Sequence, residues 1–188
     1  MVRHMKGEWL FMTDTDMRFD PDLCARLVLM MKRYDLDVVT GVYCFKTYPH
    51  QPVLYVFNEE TKRHEVVGDI EGKFELFELP GAAGAGALLI NKRVFDKIDK
   101  ELGEMPFERM PSPTHKGGTY GEDHSFFRRC SMLGIKAYCA WNVHSNHLAF
   151  REVDPQYRTV MPSLKTVSVG QGYQYQEAVA GAPEIAVG

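Results

Sequence analysis

The chain is expected to fold as an α/β protein, with a mixed, mainly parallel sheet, flanking helices and a small antiparallel excursion. Three observations predict this. Residues 9–13 form an apolar, strand-like run. Leu23, Leu27, Met30, Met31 and Tyr34 recur at i, i+4, i+7, i+8 and i+11, the spacing of a one-sided helix. Residues 38–45 are then almost wholly apolar and β-rich, with Val38, Val39, Val42, Tyr43 and Phe45, as a strand covered on both faces requires. Strand, helix and strand in that order make a parallel crossover unit.

The remaining elements follow in order. Short strands at 53–57, 64–67 and 74–79, separated by charged turns, form the antiparallel excursion. Gly81-Ala82-Ala83-Gly84-Ala85-Gly86 is a small-residue loop that admits close backbone approach, and it matches neither a P-loop nor a dinucleotide fingerprint. It reads as a tight turn or the wall of a substrate pocket. The apolar segment 87–90 follows, and Asn91 caps a short helix through Ile98. Residues 105–121, with Pro106, Pro111, Pro113, Gly117 and Gly118, have the composition of a mobile loop. A helix then carries Phe126, Phe127, Cys130 and Leu133 on its apolar face, with Gly134 as C-terminal cap. A strand at 135–141 leads to His144 and His147.

With 188 residues, 45% hydrophobic and 12% aromatic, the chain can bury a real core as one domain, expected over 1–152. Residues 153–188 are an extension. From about residue 166 it has no sustained period and reads as a flexible tail or docking segment. A formal net charge of −3, with scattered Lys and Arg, gives no reason to expect nucleic acid. Cys24, Cys44, Cys130 and Cys139 form no Cys-x-x-Cys pair and sit in apolar patterns, so reduced thiols in a cytoplasmic protein are expected. No stretch approaches the ~18 apolar residues of a membrane span.

Three Asp-x-Asp triplets occur: Asp14/Asp16, Asp20/Asp22 and Asp35/Asp37. Asp20-Pro21-Asp22 opens the first helix, with Asp20 as N-cap and Pro21 at the first helical position, which is role enough. Asp35 and Asp37 flank the turn after that helix, where solvated carboxylates are ordinary. Asp14-Thr15-Asp16 alone follows the end of a buried strand, where open α/β sheets bind ligands, and its paired carboxylates suit a divalent cation. Glu122 and Asp123 lie in the first turn of their helix, where acidic side chains also complement the helix dipole. His144 and His147 follow the last strand and are each capable of ligating a metal.

The order and spacing of these motifs resemble the nucleotide-sugar glycosyltransferases of the GT-A fold, over roughly residues 7–150. Asp14 and Asp16 match the first and last acidic positions of that family's metal-binding strand end. Gly84 to Ile90 is similar to the segment lining the acceptor side of its sugar pocket. Gly121-Glu122-Asp123 looks like the family's Glu-Asp motif, and Ser145-Asn146-His147-Leu148 like its late metal-binding histidine. The resemblance implies transfer of a sugar from a nucleoside-diphosphate sugar to an acceptor hydroxyl, with Mn2+ or Mg2+ as cofactor. It implies Asp16, Asp14 and His147 as metal ligands, with His144 as a fallback. Asp14, Thr15, Ala85, Gly86 and Gly121 would contact substrate, and Asp123, assisted or replaced by Glu122, would be the base of an inverting transfer.

The family carries a further nucleotide-binding half before its Asp-x-Asp strand, whereas Met1 to Glu8 alone precede it here. The resemblance therefore implies the C-terminal part of the fold, either with a partner chain or self-association completing the sheet or as a truncated reading frame with weakened activity. Two other functions fit the same residues. One is a non-catalytic glycosyltransferase-like subunit that docks a partner. The other is a metal-dependent hydrolase using Asp14, Asp16 and His147 to activate water.

Overall fold

The structure, a computed structural model, describes residues 4–67, 75–112, 117–148 and 152–153. The expected tail from 166, nearly all of the extension and part of the 105–121 loop lie outside the described residues.

The elements are β1 (Trp9–Met12), β2 (Met17–Phe19), α1 (Leu23–Tyr34), β3 (Val38–Val42), β4 (Leu54–Asn58), β5 (Arg63–Val66) and β6 (Leu76–Glu78). After these come β7 (Gly81–Ala83), a 3-10 turn (Ala85–Ala87), β8 (Leu88–Asn91), α2 (Lys92–Leu102), α3 (Glu122–Met132), β9 (Ala137–Leu148) and β10 (Glu152–Val153). The larger sheet runs β1-β8-β3-β9-β10, with β2 and β6 also paired to β9, and a smaller sheet runs β5-β4-β7.

The class is mixed α/β, as expected, but the sheet is mostly antiparallel rather than mainly parallel. Among the paired strands, β3 and β9 are the parallel pair, with Val38 opposite Ala137 and Thr40 opposite Cys139. Both β1 and β3 are antiparallel to β8, so they run in the same direction, as the crossover requires. What the crossover pattern could not reveal is that β8, arriving some fifty residues later in sequence, inserts between them. Its Leu88, Leu89 and Ile90 are fully buried, and a strand greasy on both faces is most stable in the sheet centre.

Side-chain alternation builds three layers. Val38, Val42, Leu88 and Ile90 face Val94, Phe95 and Ile98 of α2 and Phe126, Phe127 and Cys130 of α3. Val39, Leu89, Ala140 and Val143 face the opposite way, onto Leu23, Leu27, Met30 and Met31 of α1. The predicted stripe of α1 is therefore its buried face, except that Tyr34 is exposed. Each buried Leu or Met contributes roughly 1.5–3 kcal/mol before entropy is counted.

Helix ends depart from expectation in detail. α1 starts at Leu23, with Asp22 at the capping position and no side-chain capping bond, while the Asp20 carbonyl accepts from the Leu23 N–H at 3.0 Å. Asp35 and Asp37 both pair with Arg93 of α2, which gives them a structural role. Asn91 does cap α2, its side chain accepting from the Arg93 N–H at 3.0 Å, and the helix runs on to Leu102, where Gly103 closes it with φ of 66°. The described part of the 105–121 loop is tied down. Arg129, buried in α3, donates to the carbonyls of Pro106 (3.3 Å) and Glu108 (2.7 Å) and to Glu104 (2.7 Å). The Met110 N–H is held by Ser125 Oγ at 3.0 Å, and Ser112 and Tyr120 bond back across the loop.

Candidate functional site

Asp14-Thr15-Asp16 forms the turn between β1 and β2, so the acidic triplet does lie at a strand end. Asp14 and Thr15 are exposed and Asp16 is partly so. The Asp16 carbonyl accepts from the Leu148 N–H at 2.8 Å, which fixes this turn to the far end of β9.

Both oxygens of the Asp16 carboxylate have company. Lys46 Nζ ion-pairs with Oδ2, and His147 Nε2 stands 3.5 Å from Oδ1. The Lys46 ammonium, foremost among the causes, holds the Asp16 carboxyl below the usual carboxylate range. His147 Nδ1 lies 3.0 Å from the Cys44 carbonyl, which can only accept, so Nδ1 carries a proton. In the neutral ring that leaves the Nε2 lone pair on the Asp16 side, the arrangement by which a backbone carbonyl orients a metal-binding imidazole.

His147 is not beyond the last strand but within it, because β9 extends to Leu148. Its register against β3 breaks after Cys139: Thr40 is opposite Cys139 but Val42 is opposite His144. Such an irregularity re-aims the strand. Both histidines lie beyond that break on one continuous strand, and a spacing of three residues puts them on opposite faces. His144 Nε2 donates to the Trp141 carbonyl at 2.7 Å, and only His147 reaches Asp16.

A second group meets beside this one. Asp123, at the start of α3, accepts from the backbone N–H of Ala85 at 3.2 Å. Tyr43 Oη accepts from the N–H of Gly86 at 3.1 Å. The Tyr43 and His147 rings sit edge to face with centroids 5.6 Å apart, joining the two groups. Burial pushes the Asp123 carboxyl up to about 6, opposed by the Ala85 bond and reinforced by the charges of Glu122 and Asp14. Burial, above all, also pushes the Tyr43 phenol up, with Asp14 and Asp123 acting in the same direction, so it remains a neutral hydroxyl.

The small residues at 84–86 are explained by Tyr43. A Cβ on Gly84 would stand 2.0 Å from Tyr43 Oη, and one on Gly86 would stand 2.7 Å from Tyr43 Cζ. These glycines admit an aromatic ring under the backbone, and part of the expected loop is in fact β7 and the 3-10 turn.

The other predicted residues are placed as follows. Glu122 is exposed, and its helix-end backbone N–H and then Arg109, at 3.1 Å, hold its carboxyl low. Asp123, not Glu122, is thus the carboxyl held inside the group. Gly121 is an exposed cap of α3. Two participants escaped sequence reading, Tyr43 and Lys46. Tyr43 read as one more apolar strand residue, and no pattern marks a lone lysine beyond a strand end. The proximity of His64 and His124 was also missed: their rings stack with centroids 4.3 Å apart, and His64, with its pKa lowered to about 4 chiefly by burial, is neutral.

Among the described residues no group of three or more His, Cys, Asp or Glu side chains is gathered as a ready cation cage. Asp16 and His147 supply two donors. That number suits a cation whose remaining positions are filled by phosphate oxygens and water, since Mg2+ in particular is commonly held by one or two carboxylates plus substrate phosphates. Among the described residues no helix is long and apolar enough to cross a membrane.

No family model matches the chain, and no curated protein matches it. Among solved structures it is similar to A197 from STIV, with 18% identity and a TM-score of 0.49, over 79% of this chain and 61% of that one. The chain thus spans less than two thirds of that structure.

Proposed function

We infer that this protein transfers a sugar from a nucleoside-diphosphate sugar to an acceptor hydroxyl, with Mn2+ or Mg2+ as cofactor. The observation that carries this reading is convergence. Asp16 Oδ1 stands 3.5 Å from His147 Nε2, Asp123 bonds Ala85, and Tyr43 touches both groups, although these residues span more than a hundred positions of sequence.

Each residue then has a role. Asp123 takes the acceptor proton: a carboxyl with a pKa of about 6 is ionised at neutral pH yet more basic than a free aspartate. Asp14 binds hydroxyls of the donor. Asp16 and His147 hold the cation, which supplies Lewis-acid stabilisation of the departing diphosphate. Ala85 and Gly86 present the acceptor wall, fixed in place through Asp123 and Tyr43. A cytoplasmic setting is supported by the four free thiols, Cys24, Cys44, Cys130 and Cys139.

The test is calorimetric titration with UDP and GDP, with and without Mn2+. Metal-dependent binding by the native chain that is lost in Asp16→Ala is the expected result. Metal-independent binding, or binding unaffected by Asp16→Ala, removes the proposal.

A second reading, a subunit that completes its sheet with another chain, is favoured by β1. Among the described residues this outermost strand pairs on one side only, with β8, and an unpaired edge is a template for a further strand. Light scattering that finds a monomer at all concentrations, together with turnover by that monomer, would count against it.

A further inference from the structure

Segment 43–46, running on from β3, touches the site at three successive points. Tyr43 Oη accepts from Gly86, the Cys44 carbonyl orients His147, and Lys46 reaches Asp16. Lys46 therefore arrives on a segment already anchored to the metal-side histidine and the acceptor-side backbone. The Asp16 carboxylate it meets is bracketed: Lys46 lies on Oδ2 and His147 on the Oδ1 side. With its backbone carbonyl bonded to Leu148, Asp16 has little freedom to turn away. Lys46 is 40% exposed, so its flexible ammonium can leave the carboxylate without disturbing the core.

A lysine on Oδ2 and a divalent cation on the same oxygen repel one another and compete for one place. Together with the Asp16 carboxylate, a sugar-nucleotide diphosphate brings more negative charge to the site than one divalent cation cancels. We propose that Lys46 is a resident cation of the site: it neutralises Asp16 until a divalent cation takes that oxygen, and then swings to pair with the diphosphate of the donor or leaving group. Lys46 is thus a substrate-binding residue with two alternating partners, and it makes cation and nucleotide binding mutually supportive. This inference rests on the glycosyltransferase reading above.

The test uses the full chain and Lys46→Gln, with Lys46→Arg as a charge-retaining control and thermal melts to establish folding. Binding of Mn2+ alone, followed by the electron paramagnetic resonance of free Mn2+, is expected to tighten about fivefold or more in Lys46→Gln, because the competitor is gone. Binding of UDP or GDP at saturating Mn2+ is expected to weaken about tenfold or more, and Lys46→Arg is expected to stay near the native value for the diphosphate. Unchanged or weaker Mn2+ binding in Lys46→Gln overturns the competition, and unchanged diphosphate affinity overturns the second role. If the native chain binds Mn2+ and diphosphate while Lys46→Gln matches it, the Lys46 proposal fails alone. If the native chain binds neither, the glycosyltransferase reading fails with it.

Discussion

Asp123 Oδ2 and the backbone N–H of Ala85 lie 3.2 Å apart, a bond that ties the start of α3 to the 3-10 turn before β8. It joins two segments that the sequence separates by nearly forty residues, and it holds a half-buried carboxyl in place.

If Asp123 is the base of the proposed transfer, its pKa of about 6 sets the pH dependence of that activity. As a base, Asp123 works ionised, so kcat/KM for transfer should be level above pH 7 and fall about tenfold per pH unit well below 6. Asp123→Asn should abolish transfer and leave diphosphate binding within a few-fold. A rate independent of pH from 5 to 7 would remove Asp123 from that role.

The same shift predicts a stability trade. Since the folded pKa lies above the reference value of 3.8, the carboxyl's favourable contribution is complete below pH 3.8 and is lost as pH rises through about 6. At pH 8 the native protein carries the cost of a half-buried charge. Asp123→Asn should therefore be more stable there by about 1 to 2 kcal/mol after allowance for solvent screening, with the gain vanishing near pH 4. Urea unfolding at the two pH values measures it.

Gly84 and Tyr43 form a size-complementary pair. Gly84→Ala should destabilise the fold by about 1 to 3 kcal/mol, because the buried Tyr43 ring and Val53 leave no room for a methyl group. Tyr43→Phe should cost about 1 to 2 kcal/mol by leaving the Gly86 N–H without its acceptor. Combining Gly84→Ala with Tyr43→Phe should cost less than the sum, since Oη is the atom nearest the new Cβ. Strict additivity in denaturant melts would contradict the packing described.

Arg129 anchors the loop ahead of α3. Its side chain is 3% exposed and serves Glu104 and the carbonyls of Pro106, Glu108 and Ser125. Arg129→Met should cost about 2 to 4 kcal/mol by stranding those acceptors. Hydrogen exchange should show earlier opening of residues 105–112, and protection unchanged from the native protein would show that the anchor lies elsewhere.

The two histidines of β9 should behave differently. His147→Ala should weaken Mn2+-dependent diphosphate binding by about ten- to a hundredfold, whereas His144→Ala should change it less than about threefold, because its Nε2 is engaged by Trp141 and it does not reach Asp16. Equal losses in the two variants would assign His147 no special place.

Local patterns were legible where local physics decides. The stripe of α1, the Asn91 cap, the Gly121-Glu122-Asp123 helix start and the strand end before Asp14 each depend on neighbours within a few residues, so the sequence carries them openly. Strand direction was not legible. Whether β8 lies between β1 and β3 depends on long-range burial that a run of apolar residues does not encode. The length of β9 was hidden for a related reason: His144 and Asn146 look like loop residues until pairing with β3 and β2 supplies their backbone partners.

The sequence by itself therefore determined the mixed α/β class, the helices and the residue types available for chemistry, because periodicity, caps and turns act over short range. Only the tertiary structure decided which of those residues meet. It set His147 rather than His144 beside Asp16 by running β9 through both, which puts residues three apart on opposite faces, and it set Asp123 rather than Glu122 against Ala85 through burial. It added Tyr43 and Lys46, whose roles arise from what packs beside them and not from any pattern in their neighbours.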